Sequence, residues 1–183
     1  RSAQVHGALL MPRTRFVSAE RRDGRWQATI EDTRTGAQGT LRARVLVNAA
    51  GPWVKPVLDA TGGGDVPARV QLVKGSHVVV PRAYPGEHAF ILQNHDKRIV
   101  FMIPYERRFT LIGTTDVAVQ GLAEARAISV EETRYLLDAV NRYLARPLVE
   151  HDVVWSYTGV RPLYDDGSND PSEITRDYTL VVD

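Results

Sequence analysis

The rhythm of apolar and polar positions changes along the chain, and each change marks an element. Arg25-Trp-Gln-Ala-Thr-Ile-Glu31 alternates large apolar with polar residues, the period of two that half-buries a strand. Asp23-Gly24 before it is a hairpin turn signal. An extended stretch from Ala8 through Phe16 and Val17 precedes that turn, and Thr35-Gly36 reverses the chain into Gly39-Thr-Leu-Arg-Ala-Arg44. Together these predict an antiparallel meander of three strands. Val45-Leu-Val-Asn-Ala-Ala-Gly51 then runs apolar without alternation, which predicts a strand buried on both faces, as in a helix-covered sheet. Pro52 suits the first turn of a short helix from Trp53 to Leu58.

Thr61-Gly-Gly-Gly-Asp65 is a break and a domain boundary, and beyond it the texture shifts. Val70 to Val80 is strand-like and interrupted at Gly75, and Ala89 to Leu92 is a short strand. Arg98 to Ile103 and Phe109 to Gly113 form a strand pair across the charged loop Glu106-Arg107-Arg108. Ser129-Val-Glu-Glu132 is a capping box, and the helix it opens carries Leu136, Leu137, Val140 and Leu144 on one face until Pro147 stops it. Val153 to Tyr157 is a last strand, leading into Gly159-Val-Arg-Pro-Leu163. The fold class is α+β: a mixed β-sheet with about one long helix, inserted between pieces of a different domain. The expected division is residues 1–68, residues 69–175, and a return strand over 176–183.

Composition narrows the function classes. A net charge of +1 lacks the basic footprint of a nucleic-acid binder. No apolar run reaches the roughly 18 residues that read as a membrane span. With no cysteine there is no disulfide, thiolate metal site or cysteine nucleophile, and no metal site is expected. The chain opens on Arg1 without a visible secretory signal and stops at Asp183 inside an apolar run, so both ends read as cut.

Three groups of residues could carry chemistry. Small residues at Asn48-Ala-Ala-Gly51 would let a bulky ligand approach the backbone, although a strand-to-helix turn needs glycine as well. Gly62-Gly63-Gly64 lacks dinucleotide-fingerprint spacing and reads as a loop. His77, in Lys74-Gly-Ser-His77, titrates near physiological pH beside a glycine that breaks the strand and re-aims its neighbours, and could take a proton from a substrate hydroxyl; a satisfied structural histidine is the blander alternative. Arg161, fixed between Gly159-Val160 and Pro162, and Arg176 could fork onto a phosphate or carboxylate. Their alternative is pairing with Asp165, Asp166 or Asp177. Gly113-Thr-Thr-Asp116 reads equally as a polar cluster or a strand-end turn. These residues alone lead to a mixed domain with a candidate anion site, and to no named reaction.

Val45 to Val54, Leu72 to Val80, Ile112 to Asp116, Gly159 to Leu163 and Ile174-Thr-Arg-Asp-Tyr178, in this order and spacing, add a resemblance. The chain resembles the aerobic, FAD-dependent glycerol-3-phosphate dehydrogenases, a branch of the D-amino-acid-oxidase-like flavoproteins. The likeness covers nearly the whole chain, and Lys-Gly-Ser-His, Gly-Val-Arg-Pro-Leu and Thr-Arg-Asp-Tyr are its most specific elements. It implies a partial FAD-binding α/β domain interrupted by a substrate-covering cap domain. On the flavin side it implies Val17, meeting the adenine through its main chain, and the backbone of Ala49, Ala50 and Gly51. On the substrate side it implies His77, Arg161 and Arg176 around glycerol 3-phosphate, with arginines clamping phosphate and His77 assisting hydroxyl deprotonation. It further implies electron transfer to quinone and a cytoplasmic protein held peripherally on the inner membrane surface, while the unpaired edges of the flavin-side strands predict contacts with another chain, as in a homo-oligomer. The family's glycine-rich phosphate loop would precede Arg1, so the isolated chain is expected to bind FAD weakly and to be inactive. The competing readings are an amino-acid-oxidising flavoenzyme of the same superfamily and a non-catalytic anion-binding module.

Overall fold

The computed structural model describes residues 1–62, 70–165, 167–168, 174 and 177. They belong to two compact units, Arg1–Ala68 and Arg69–Asp183.

In the first unit a four-residue helix, α1 (Ser2–Val5), precedes the meander of β1 (Thr14–Arg22), β2 (Arg25–Asp32) and β3 (Gln38–Ala43). All pairings are antiparallel in the order β1-β2-β3, as the alternation predicts. Asp23 and Gly24 both adopt positive φ, the geometry a two-residue hairpin loop demands. The β1–β2 register passes from Phe16↔Ile30 to Ser18↔Thr29 and so skips Val17, which sits at a β-bulge.

Val45 to Ala50 departs from expectation. It forms no strand, and Val45 and Val47 are 70% and 79% exposed. A run of valines becomes a buried strand only if neighbouring strands take up its backbone hydrogen bonds, and among the described residues the three-stranded sheet ends at β3. The turn that follows is well fixed. Asn48 accepts from the Ala50 N–H at 3.2 Å and donates to the Val54 carbonyl at 2.8 Å, and a 3₁₀ turn over Gly51–Trp53 leads into α2 (Val54–Asp59).

The second unit is built on β4 (Val70–Pro81). One edge of β4 pairs with β9 (Trp155–Tyr164) along ten residue pairs, from Val70↔Tyr164 to Val79↔Trp155. Its other edge is shared by β7 (Phe109–Gly113), against His77 to Pro81, and β8 (Val117–Val119), against Leu72 to Lys74. β6 (Ile99–Tyr105) and β5 (Phe90–Gln93) continue the sheet beyond β7, and every described pairing is antiparallel. The strand is not broken at Gly75: the ladder with β9 runs straight through Gly75↔Gly159. The predicted strand after Val153 and the Gly-Val-Arg-Pro-Leu segment are one strand, β9.

Alternation along β4 separates the sheet's faces. Val78 and Val80, with Ile112, Met102, Val100 and Leu92 of the neighbouring strands, pack on Leu136, Leu137, Ala139 and Val140 of α3 (Val130–Asn141). The predicted capping box is present, with Ser129 Oγ accepting from the Glu132 N–H at 3.1 Å and Glu132 Oε2 from the Ser129 N–H at 2.9 Å. Helix α3 ends at Asn141, ahead of Pro147. The Asn141 side chain donates to the Leu148 carbonyl at 2.9 Å and accepts its N–H at 2.8 Å, which ties the segment after Pro147 back to the helix end. The sheet's other face is left to His77, Val79, Leu111, Phe101, Tyr157 and Arg161. No helix among the described residues is long and apolar enough to cross a membrane.

Candidate functional site

The face of the sheet turned away from α3 carries the candidate chemistry. Gly75 faces outward there, and a Cβ on it would stand 2.5 Å from Nη1 and 2.7 Å from Nη2 of Arg161. Gly75 is therefore a notch that lets the Arg161 guanidinium lie across the central strand, a close-approach role instead of the break the sequence suggests. Gly113 performs the same service for His77: a Cβ there would collide with the imidazole. The ring of His77 stacks on Tyr157, its cross-strand partner, with centroids 4.7 Å apart and planes 3° from parallel.

Arg161 is held by the segment that follows β7. Nη1 lies 3.3 Å from Asp116 Oδ1 and Nη2 donates to Thr114 Oγ1 at 3.2 Å. Gly113-Thr-Thr-Asp116 is thus both a strand end and a polar cluster. The carboxylate and hydroxyl fix a guanidinium whose side chain remains 33% exposed, and the fork carries more donors than these contacts use.

His77 Nδ1 is buried with no hydrogen-bond partner among the described residues. Burial, and then repulsion from the Arg161 charge, hold the imidazole's pKa below its usual 6.5. At neutral pH the ring is uncharged and can accept a proton. A neutral base beside an anchored, solvent-reachable cation suits a substrate with an ionisable hydroxyl and an anionic group.

Arg176 lies outside the described residues, as does the return strand apart from Asp177. Val17, Ala49, Ala50 and Gly51 belong to the first unit. Val17 is the bulge residue, and its main chain stands outside the regular β1–β2 register. Gly51 adopts φ +55°, where L side chains are disfavoured, while a Cβ there would meet open space. A bulged backbone and a turn of small residues fixed by Asn48 are groups that could take a dinucleotide through main-chain contacts. No group of three or more metal-ligating side chains occurs among the described residues. Sequence reasoning left Gly113-Thr-Thr-Asp116 undecided and passed over Tyr157; the readable signal was a polar triplet directly after a glycine-ended strand.

Residues 1–180 match the family described as DAO, FAD dependent oxidoreductase. The chain is 52% identical over 181 residues to the glycerol-3-phosphate dehydrogenase of Pseudomonas aeruginosa, covering 99% of this chain and 35% of that protein. It is 47% identical to the D-erythritol 1-phosphate dehydrogenase of Brucella abortus, covering 99% of this chain and 36% of that one. The structure of the Bacillus halodurans glycerol-3-phosphate dehydrogenase complexed with FAD superposes with a TM-score of 0.75 at 30% identity, over 90% of this chain and 34% of that one. The chain thus spans about a third of the length of these relatives.

Proposed function

Because this chain belongs to the FAD-dependent oxidoreductase family, we propose that it is the substrate-covering part, with a portion of the flavin side, of a dehydrogenase that oxidises sn-glycerol 3-phosphate to dihydroxyacetone phosphate. The observation that carries this reading is the pairing on one sheet face of a neutral His77 with the anchored Arg161.

Arg161 binds the phosphate through the donors not committed to Thr114 and Asp116, and Arg176 adds a second cation. His77 receives the proton of the secondary hydroxyl. With Nδ1 sealed from solvent, Nε2 is the nitrogen assigned to the substrate. Stacking on Tyr157 and seating over Gly113 keep the ring from rotating away, so the base is oriented before substrate arrives. When bound, FAD supplies the two-electron acceptor for the hydride leaving the alcohol carbon. Val17 and the Ala49–Gly51 backbone are the residues of this chain that would hold it. Quinone as the final acceptor and peripheral attachment to the inner membrane surface follow the family resemblance, and self-association follows from unpaired strand edges on the flavin side.

The test uses the full-length protein loaded with FAD and mixed anaerobically with glycerol 3-phosphate while flavin absorbance is followed. Rapid bleaching that weakens in Arg161→Ala and His77→Ala supports the reading. Faster bleaching with D-erythritol 1-phosphate would keep the site and change the substrate, whereas bleaching only with an amino acid would retire the phosphate clamp. The isolated chain is expected to retain no stoichiometric FAD, which its absorbance after purification would show.

A further inference from the structure

Glu132 is legible in the sequence as one half of a capping box, and that role uses only part of its carboxylate. Oε2 accepts from the Ser129 N–H at 2.9 Å and lies 2.7 Å from Lys74 Nζ. Oε1 accepts from Ser76 Oγ at 2.7 Å and from Thr115 Oγ1 at 2.9 Å. Lys74 Nζ also donates to the Ala127 carbonyl at 3.3 Å, and Thr115 Oγ1 accepts from the Ser76 N–H at 3.0 Å. All four side chains are buried, Glu132 at 7% exposure and Thr115 at 1%. Burial pushes the Glu132 carboxyl up, but hydrogen bonds from Lys74, the Ser129 backbone, Ser76 and Thr115 outweigh it and leave the pKa lowered.

A buried ion pair of this kind is often no more stabilising than apolar side chains of the same volume. Stability alone therefore does not account for four polar side chains between α3 and β4. Their position does. Thr115 turns toward the helix and is tied down twice, to Glu132 and to the β4 backbone. Its sequence neighbours Thr114 and Asp116 reach the other way and supply both contacts that hold Arg161.

We infer that Thr115, anchored by the Lys74–Glu132 pair, is a positioning residue for Arg161: it fixes the segment whose flanking side chains aim the guanidinium. The inference rests on the proposed function only for the ligand that Arg161 meets. The position of Arg161 can be tested independently of that ligand.

The experiment is made at Thr115 because removing Glu132 would leave the Lys74 ammonium buried and unpaired. Thr115→Val deletes the hydroxyl at nearly constant volume, and Thr115→Ser retains it. In the flavin-loaded full-length protein, Thr115→Val is expected to raise KM for glycerol 3-phosphate about tenfold while kcat changes by less than about threefold. Thr115→Ser is expected to restore KM. In an Arg161→Ala background, Thr115→Val is expected to add less than about twofold. An equal penalty in both backgrounds, or no rescue by serine, overturns the inference. A crystal structure of the Thr115→Val protein is the second measurement. A guanidinium displaced from Thr114 and Asp116 supports the inference, and one left in place overturns it whatever the substrate. If Arg161→Ala leaves KM unchanged while Thr115→Val still displaces the guanidinium, the phosphate reading fails and the positioning stands.

Discussion

Val45 to Gly51 and Val70 to Val80 both carry closely spaced valines, yet they meet opposite fates. Val78 and Val80 are fully buried, with β9 on one side of their strand, β7 on the other and α3 beneath. Val45 and Val47 lie exposed in a segment that forms no ladder among the described residues. Composition cannot separate them. Pairing does: β4 takes up hydrogen-bonding strands on both edges, while the first unit's described residues end their sheet before Val45 is reached. An apolar run thus states a demand for partners, and other parts of the molecule decide whether it is met.

The comparison can be broken most forcefully from the β4 side. Glu132→Ala strands the Lys74 charge and is expected to lower stability by about 3–5 kcal/mol in urea melts; a loss below about 1 kcal/mol would mean the ion pair contributes little to holding α3 on the sheet. Leu136→Ala empties a fully buried position and is expected to cost about 2–5 kcal/mol. In the same chain, Val47→Ala should stay within about 0.5 kcal/mol. A cost rising toward about 1.5 kcal/mol would show that the run does find cover.

The smallest expected effect is in pH dependence. The pKa of His77 in the fold lies below its usual 6.5, so its contribution is intact above that value. As pH falls below 6.5 the unfolded chain takes up a proton that the folded chain resists, and stability declines until the folded ring protonates too. A histidine NMR titration should place His77 below 6.5, and His77→Gln should flatten that part of the stability profile; a His77 titrating above 6.5 would contradict the burial argument.

Much of the local structure was legible. Alternation in Arg25 to Glu31, the Asp23-Gly24 turn and the Ser129–Glu132 capping box each express a preference contained in a few consecutive residues, and the fold keeps all three. His77 and Arg161 were also found as candidates, since a histidine beside glycine and an arginine ahead of proline are visible in the chain. Gly75 and Gly113 were beyond such reading. What each makes room for is a side chain 86 positions away in one case and 36 in the other, brought there by strand pairing.

The sequence by itself determined most strands of the second unit, its helix start, the polar triplet after β7 and the identity of the candidate base and cation, but not β8 or the continuity of β4 and β9. Only the tertiary structure decided that His77 is held neutral, that Arg161 is held by Asp116 and Thr114, far away in sequence, and that Glu132 serves the sheet as well as its own helix. The physical reason is one of range. Turn geometry, capping and periodicity act over a few residues, whereas desolvation, close approach and ion pairing depend on which strands come to lie side by side.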